Sequence, residues 1–423
     1  MFRRLKKIDG FHRDVAVVFI GSSLFNVLNL AYQLLAAHKL TPSDFASFNT
    51  LISMYMMLAV PLGTLQTTLV KYIAEFNAQG LAGNIKVLLS RLLKGASLLA
   101  LLTFCIFAFS SPALMSNFKI QPFSCGYLFA FLAASAWISP LVLGGLQGLE
   151  FFGWLVLTMI LIGSLKLVIG FVLIHFGMGV AGAFAGFVIS AIIGIAAGLL
   201  VLRNFLSSQG EQGSINLKKF FQYCFPVGLT LFCSISFSNM DMILVKYFFS
   251  ADDSAFYSLA QMLGKIFFFL PGAITIVMFP KVSSQNAQQA GTKGTLLKSL
   301  FYAGGLCFLA VAVYNTFPHF VLKALTGKAL EESVFLGRFF SVSMTFFTLS
   351  MMLPMYFLSI GDLRFLKYLI SLALLQFLAI VFWHANLVQV QLILCVNGAL
   401  LFAILLWLAL WSKPRHRPLA SAA

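Results

Sequence analysis

Charged residues are scarce in this sequence. Asp, Glu, Lys and Arg make up 9% of the 423 residues, whereas hydrophobic residues make up 60%. A soluble globular protein usually carries about 25% charged residues. A soluble domain of this length could not cover its apolar surface with so few polar groups. The composition therefore excludes an ordinary soluble enzyme and favours a chain that lies in lipid.

Motifs of catalysis, metal binding and nucleotide binding are also missing. The sequence contains no HExxH, GxSxG, Walker loop or CxxC, and its six histidines are scattered. The six cysteines lie in or beside apolar runs, which predicts neither a disulfide framework nor a zinc site. The pair Asp252-Asp253 is compatible with a glycosyltransferase metal site, but an acidic turn is the preferred interpretation. We expect no cofactor, no metal and no catalytic residue, and an energy source other than ATP.

Acidic residues are fewer than basic ones: the sequence has 12 Asp and Glu residues and 28 Lys and Arg residues. In a soluble protein a net charge of +16 would suggest a nucleic-acid partner. Here the cations lie mostly in short loops between apolar runs, which is the orientation signal of a membrane protein. We therefore expect no nucleic-acid partner.

Long apolar runs dominate the rest of the chain, and each is long enough to cross about 30 Å of hydrocarbon. The basic N-terminal segment is followed by such a run without an evident cleavage site, which predicts a first membrane helix, not a removed signal peptide. The runs predict twelve spans in an all-α integral membrane protein. They cover residues 14–37, 45–70, 91–110, 123–146, 151–175, 179–202, 220–246, 255–280, 297–318, 334–358, 364–383 and 387–411.

The distribution of Lys and Arg predicts the orientation. Of the 28 basic residues, 20 fall on the side of the N-terminus, six fall on the opposite side and two lie within spans. Because basic residues concentrate in cytoplasmic loops, both termini are expected to be cytoplasmic. The expected location is the cell (inner) membrane.

An internal repeat relates the two halves. Residues 43–79 and 252–289 each begin with an acidic turn, continue through a mid-span proline (Pro61, Pro271) and end in Asn-Ala-Gln. The offset between the two segments is about 209 to 210 residues, close to half the chain. It predicts two parallel six-helix lobes, residues 1–205 and 206–423, an arrangement found in transporters. Interrupted helices at matching positions point to a substrate site, although both prolines are also compatible with simple helix curvature.

Polar side chains form stripes along the first two spans of each repeat. Four such faces would enclose a hydrated cavity, and the alternative is interhelical hydrogen bonding in a dry bundle. The stripes comprise Ser22, Asn26, Asn29 and Gln33; Asn49, Ser53, Thr64, Thr67 and Lys71; Thr230, Ser234, Ser238 and Asp241; and Tyr257, Gln261, Lys265, Gly272 and Thr275. Span 6 instead carries small residues at every fourth position from Gly182 to Gly198, which predicts close helix packing.

Three ionisable residues lie within spans, where a charge is costly and usually faces water or a partner. Lys265 is near the middle of span 8 and could attract an anion such as a diphosphate. Asp241 could pair with Lys265 or Lys246, relay protons or sodium, or form a structural salt bridge. Lys166 is too deep in span 5 to reach water easily, so we expect it to be buried against the bundle.

Several segments resemble the polysaccharide-biosynthesis flippases of the multidrug/oligosaccharidyl-lipid/polysaccharide superfamily. They are TPSDFASFNTLISMYMML from Thr41, VKYIAE from Val70, GGLQGLEFFGWL from Gly144, HFGMGVAGAFAG from His175, and the stretch from Asp241 to Ser258. One departure is that Ser47 and Phe256 stand where a glycine usually precedes the aromatic residue. The resemblance implies twelve helices in a V-shaped, two-lobed transporter with a cationic central cavity.

The resemblance also implies a function, the flipping of an isoprenoid-diphosphate-linked oligosaccharide to the outer leaflet. The expected partners are this substrate, membrane lipids and other polysaccharide assembly proteins. The candidate substrate-binding residues are Lys265, Asn26, Asn29, Gln33, Gln261 and Lys166, and the candidate coupling or gating residues are Asp241, Pro61 and Pro271.

Two alternatives are a multidrug or toxin cation antiporter of the same fold and a membrane glycan polymerase or ligase. The two intramembrane lysines disfavour the former, and the short outer loops, the longest near 319–333, disfavour the latter.

Overall fold

The computed structural model is built from α-helices throughout the residues that it describes. Those residues are 2–207, 217–269, 274–275, 278, 281–282, 285 and 291–411. Within these ranges the structure describes only the backbone of residues 2–16, 75, 78, 204–207, 217–219, 223 and 265–269.

Thirteen helices occur in this part of the chain, and eleven are long and apolar enough to cross a membrane. The helices are α1 (Phe2–Lys39), α2 (Pro42–Ala78), α3 (Ala82–Asn117), α4 (Ser124–Gly148), α5 (Phe152–His175), α6 (Gly179–Ser207), α7 (Leu217–Phe248), α8 (Ala251–Phe269), α9 (Lys293–Thr316), α10 (Pro318–Thr326), α11 (Glu331–Ser359), α12 (Phe365–Phe382) and α13 (Leu387–Trp411).

Eleven of the twelve predicted spans fall on these membrane-length helices, which confirms the all-α membrane class. The predicted eighth span, 255–280, begins in α8 and continues into residues outside the description. Hydropathy locates spans well because a lipid-embedded backbone must satisfy its own hydrogen bonds, and a helix does so within one segment.

Two features of the fold differ from the expectation. The helices run beyond the apolar runs: α3 has 36 residues where a span of 91–110 was expected, and it is about 54 Å long at 1.5 Å per residue. Polar helical turns continue into water, so hydropathy marks only the buried middle of such a helix. The second difference is α10, a nine-residue helix in the segment expected to be an outer loop near 319–333.

The chain divides into two compact units, and two helices are shared between them. Unit 1 comprises Met1–Leu40 and Leu58–Gly228, and unit 2 comprises Thr41–Met57 and Leu229–Ala423. Helix α2 therefore begins in unit 2 and continues in unit 1, and α7 does the reverse. The predicted lobes 1–205 and 206–423 remain a prediction.

The same helix pairs pack together in both units. In unit 1, α3 packs on α4, α4 on α6 and α5 on α6. In unit 2 the corresponding pairs are α9 with α11, α11 with α13, and α12 with α13. This correspondence supports the two six-helix repeats that the sequence predicts.

Matching N-terminal caps mark the second helix of each repeat. The hydroxyl of Thr41 accepts a hydrogen bond from the backbone N–H of Asp44 (3.1 Å), and the hydroxyl of Ser250 accepts one from that of Asp253 (3.1 Å). Each cap satisfies an amide that a helix start leaves without an internal partner. Both cap residues and both aspartates are separated by 209 positions (250 minus 41, and 253 minus 44), which is the offset of the repeat.

A carboxylate fixes the turn between α11 and α12. Asp362 is buried, and its oxygens accept hydrogen bonds from Nε (3.0 Å) and Nη2 (2.6 Å) of Arg364. These bonds to the carboxylate raise the pKa of Arg364. Gly361, with φ of 73°, closes the helix in the left-handed conformation that glycine adopts without strain.

Candidate functional site

Unit 1 contains a lysine buried inside its helices. Lys166, in the middle of α5, is 3% exposed, and its ammonium group donates a hydrogen bond to Oδ1 of Asn29 on α1. The Nδ2 group of Asn29 in turn donates to the carbonyl of Phe25 (2.9 Å). Both ends of this carboxamide are thus engaged, and it links the cation of α5 to the backbone of α1.

Two aromatic rings complete the surroundings of Lys166. Its Nζ atom lies 5.1 Å from the ring centroid of Tyr32 on α1 and 4.6 Å from that of Phe187 on α6. Both distances are within the range of cation–π attraction, which is stronger where water is excluded. The hydroxyl of Tyr32 donates to the carbonyl of Ala183, so the ring is held from α6 as well.

Glycines allow these three helices to approach closely. A Cβ atom on Gly170 would lie 2.6 Å from the ring of Tyr32, and one on Gly186 would lie 2.7 Å from the Cα of Gly170. Real Cβ atoms do not approach other atoms so closely. The small residues predicted to serve packing on span 6 therefore bring α5 and α6 together at the level of Lys166.

The arrangement stabilises a cation without an acidic partner. Among the described residues, Lys166 contacts a neutral carboxamide and two rings, and no carboxylate lies within ion-pair distance. Buried charges within a membrane usually mark functional sites, so Lys166 is a candidate functional residue. Chemically, it can attract an anion or exchange a proton if the contact between α1 and α5 opens.

Unit 2 contains a buried carboxylate in a hydrogen-bond network. Asp241 on α7 is 0% exposed and accepts hydrogen bonds from the hydroxyl of Tyr257 (2.8 Å) and from Nε2 of Gln261 (3.2 Å), both on α8. Hydrogen bonds to an ionised acceptor are roughly twice as strong as neutral ones. The ring of Phe340 packs edge-on against Tyr257 at a centroid distance of 4.9 Å.

A chain of carboxamides ties α7 to α12 and α13. Nε2 of Gln376 donates to the carbonyl of Phe237 (3.3 Å), and Nδ2 of Asn397 donates to Oε1 of Gln376 (3.0 Å). Phe237 lies one helical turn before Asp241. In both units, therefore, a polar side chain on the fifth helix of the repeat reaches the first helix: Lys166 in unit 1 and Gln376 in unit 2.

The remaining predicted site residues are more dispersed. Asn26 is exposed and Gln33 is half-buried on α1, whereas Pro61 lies inside α2, which continues through it. Lys265 lies in α8, but its side chain is outside the described residues, as is Pro271. The structure thus brings together Asn29 with Lys166 and Asp241 with Gln261. The predicted stripe on span 2 is divided, with Asn49 and Ser53 in unit 2 and Thr64, Thr67 and Lys71 in unit 1.

Four residues of these networks were not among the candidates. They are Tyr32, Phe187, Gln376 and Asn397. The repeat offset of 209 contained a signal for one of them, because Tyr32 occupies the position in the first repeat that Asp241 occupies in the second (241 minus 32). The other three look like ordinary membrane-helix residues in the sequence, and only the packing shows their role.

The helical membrane spans, the repeated packing and the buried intramembrane charges define a multi-pass α-helical membrane protein with the architecture of a transporter. A family model described as "Polysaccharide biosynthesis protein" matches residues 11–286, nearly two thirds of the chain. The chain therefore belongs to the polysaccharide biosynthesis protein family. No curated protein matches its sequence significantly.

Solved structures share this fold. A multidrug resistance MATE family transporter of the MOP superfamily, in an inward-facing conformation, matches with a TM-score of 0.73 and 15% identity, over 92% of this chain and 97% of its own. The lipid II flippase MurJ, in an inward closed conformation, matches with a TM-score of 0.74 and 13% identity, over 93% and 87%. The eukaryotic MATE transporter AtDTX14 matches with a TM-score of 0.65 and 12% identity, over 96% and 97%.

Family and fold agree on the class of the protein. It is a multi-pass membrane protein of the polysaccharide biosynthesis family, and it has the fold of the MATE transporters and of the flippase MurJ. Structures at these identities establish the fold, and they include both a flippase and multidrug transporters, so the substrate has to be argued separately.

Proposed function

We propose that this protein flips an isoprenoid-diphosphate-linked oligosaccharide, of the polysaccharide or O-antigen repeat-unit type, across the cytoplasmic membrane by alternating access. The observation that carries the proposal is the polysaccharide biosynthesis family model, which spans residues 11–286. On this view the protein is a transporter with no catalytic centre, located in the inner membrane with both termini in the cytoplasm. Its substrate would cross through the hydrated, cationic cavity that the sequence predicts.

The charges within the membrane fit an anionic substrate. Two lysines, Lys166 and Lys265, lie within the predicted spans, compared with one aspartate, Asp241. A lysine is a compact cation that binds phosphate groups as a point charge. We propose Lys265, Lys166, Asn26, Asn29, Gln33 and Gln261 as substrate-binding residues, with the carboxamides serving the sugar hydroxyls. We propose Asp241, Pro61 and Pro271 as residues that couple transport to its energy source or gate the alternating access.

The test is mass spectrometry of isoprenoid-linked glycans in host cells depleted of this protein, combined with an assay of which leaflet holds them. A complete lipid-linked oligosaccharide should accumulate on the cytoplasmic leaflet after depletion. The same intermediate should accumulate when Lys265→Ala replaces the wild-type protein. Lys94→Ala, at an exposed position on α3, is the matched control and should restore wild-type levels. Depletion without any such intermediate would refute the flippase proposal.

A cation antiporter is the second candidate, and one observation favours it. Asp241 is a fully buried carboxylate within a membrane helix, and an intramembrane carboxylate can serve a cationic substrate or a coupling ion. Under this alternative, depletion would increase the sensitivity of cells to cationic dyes and leave lipid-linked glycans unchanged. A glycan polymerase or ligase is less consistent with the structure, because the predicted outer segment near 319–333 largely forms the helix α10 and the start of α11.

A further inference from the structure

The short helix α10 has one face fixed to the protein and another open. Leu322 and Thr326 are buried on the inner face. The open face presents Phe320, which is 74% exposed, together with His319 and Lys323, and Phe317 just before the helix is 61% exposed. Because residues three apart share a helix face, Phe320 and Lys323 are neighbours on this surface.

The inner face of α10 is anchored to the protein by packing and hydrogen bonds. Leu322 packs in a small apolar cluster with Leu263, Tyr314 and Val334, and the hydroxyl of Tyr314 donates to the carbonyl of Val334 (3.0 Å). At the end of the helix, the hydroxyl of Thr326 accepts a hydrogen bond from the backbone N–H of Lys328 (3.2 Å). The open side chains are therefore held in a defined direction.

The open face continues a surface that faces lipid. Helix α9 is a candidate membrane span with little of its apolar length buried, and it exposes Phe301 (78%) and Phe308 (75%). It ends at Thr316, directly before Phe317. The end of a span lies where acyl chains meet headgroups, and amphipathic helices bury apolar side chains such as Phe at that level. Phe317 and Phe320 thus follow directly in the chain after the exposed apolar surface of α9.

The charged residues of the open face fit the headgroup level. Lys323 is exposed one turn beyond Phe320, so its ammonium group can extend to a phosphate while its methylenes lie along apolar surface. His319 is engaged elsewhere, with its Nε2 atom 3.0 Å from a carboxylate oxygen of Glu331. Lys328 lies beyond the end of α10, is half-buried and does not belong to the open face.

We propose that α10 is an interfacial helix that binds the headgroup region of membrane phospholipids. Phe317 and Phe320 enter the upper part of the acyl chains, and Lys323 contacts a lipid phosphate. The proposal concerns the surface of unit 2 alone and holds whichever substrate the protein transports. In the predicted topology the lipid belongs to the outer leaflet.

The test places the photo-crosslinking residue p-benzoylphenylalanine at position 320 of the full-length protein in native membranes. After irradiation, mass spectrometry should find phospholipid adducts at position 320. Position 308 on α9 is the lipid-facing control, and buried position 322 is the control that should crosslink only within the protein. An adduct with another polypeptide at position 320, or no lipid adduct there while position 308 gives one, would overturn the proposal.

A second variant tests the phosphate contact. With the crosslinker at position 320, Lys323→Glu should lower the yield of phospholipid adduct several-fold, because the carboxylate repels the phosphate. The yield at position 308 should not change, which controls for folding and membrane insertion. An unchanged yield at position 320 would remove Lys323 from the proposed site.

Discussion

Lys166 and Asp241 are both buried charges, but their partners differ in kind. Lys166 is surrounded by a carboxamide and two aromatic rings, whereas Asp241 accepts hydrogen bonds from a hydroxyl and an amide. A buried charge is tolerated only when hydrogen bonds or an opposite charge compensate the loss of water. Substitutions of the neutral partners therefore measure how well each charge is compensated.

Asn29→Leu should destabilise the protein by about 1.5–3 kcal/mol, the contribution of a hydrogen bond to a charged group. The change removes the oxygen that accepts a hydrogen bond from the buried ammonium group of Lys166. Thermal unfolding in detergent is the measurement. Asn26→Leu, three residues away at an exposed position, is the control and should leave the stability unchanged. Equal stability of the two variants would contradict the prediction.

Tyr257→Phe should destabilise the protein by about 1.5–3 kcal/mol, the contribution of a hydrogen bond to a charged group. The variant removes the hydroxyl that donates to Asp241 and keeps the ring against Phe340. Phenylalanine suits the fold, because Phe48 occupies the equivalent position of the other repeat (257 minus 209). Tyr302→Phe, on the exposed side of α9, should leave thermal stability unchanged. A Tyr257 variant as stable as this control would contradict the prediction.

The helices of unit 1 are held at distances that the small residues set. Gly170 and Gly186 lie at the crossing of α5 and α6, beside the backbone carbonyl of Lys166. Close backbone approach is a general device of membrane helices, because lipid offers no hydrophobic force that drives helices together. The position of Lys166 relative to α1 and α6 depends on this crossing.

Gly186→Ala should therefore destabilise the protein by about 1–3 kcal/mol, the usual cost of overpacking. Its Cβ would meet the backbone of Gly170 at 2.7 Å, and a backbone cannot rotate away as a side chain can. Gly305→Ala on α9, where nothing lies within 4 Å, is the control. That variant should be neutral or should gain up to about 1 kcal/mol from helix propensity. Thermal unfolding of the two variants in parallel checks the difference, and equal stability would contradict the prediction.

The whole molecule consists of two similarly packed units with shared helices α2 and α7. The distribution of basic residues, 20 on one side and six on the other, predicts its orientation in the membrane. Since this asymmetry is large, the energetic preference for one orientation should be strong.

Alkaline phosphatase fusions should be active at Gly177 and Gly327 and inactive at Gly80 and at the C-terminal Ala423. The enzyme folds only outside the cytoplasm, because its disulfides form only in an oxidising compartment. Fusions to a fluorescent protein that folds in the cytoplasm provide the reciprocal control at each position. An active phosphatase at Ala423 would reverse the predicted orientation and the leaflet assigned to α10.

The sequence by itself determined the class of the protein, its spans and its repeat. These depend on local properties: an apolar run must form a helix in lipid, and a cap such as Thr41 or Ser250 lies within a few residues of the helix that it starts. The positions of the intramembrane charges were visible for the same reason. The short helix α10 was missed, because nine residues between two spans carry too little hydropathy signal to be distinguished from a loop.

Only the tertiary structure decided what those charges touch. Asn29 and Lys166 are 137 positions apart, and Phe237 and Gln376 are 139 apart, so no local pattern pairs them. The contact between Asn29 and Lys166 depends on how closely the helices of unit 1 cross, which Gly170 and Gly186 set through the absence of side chains. Hydrogen bonds and cation–π contacts act over a few ångströms, and a position along the sequence does not fix a distance of that size between separate helices.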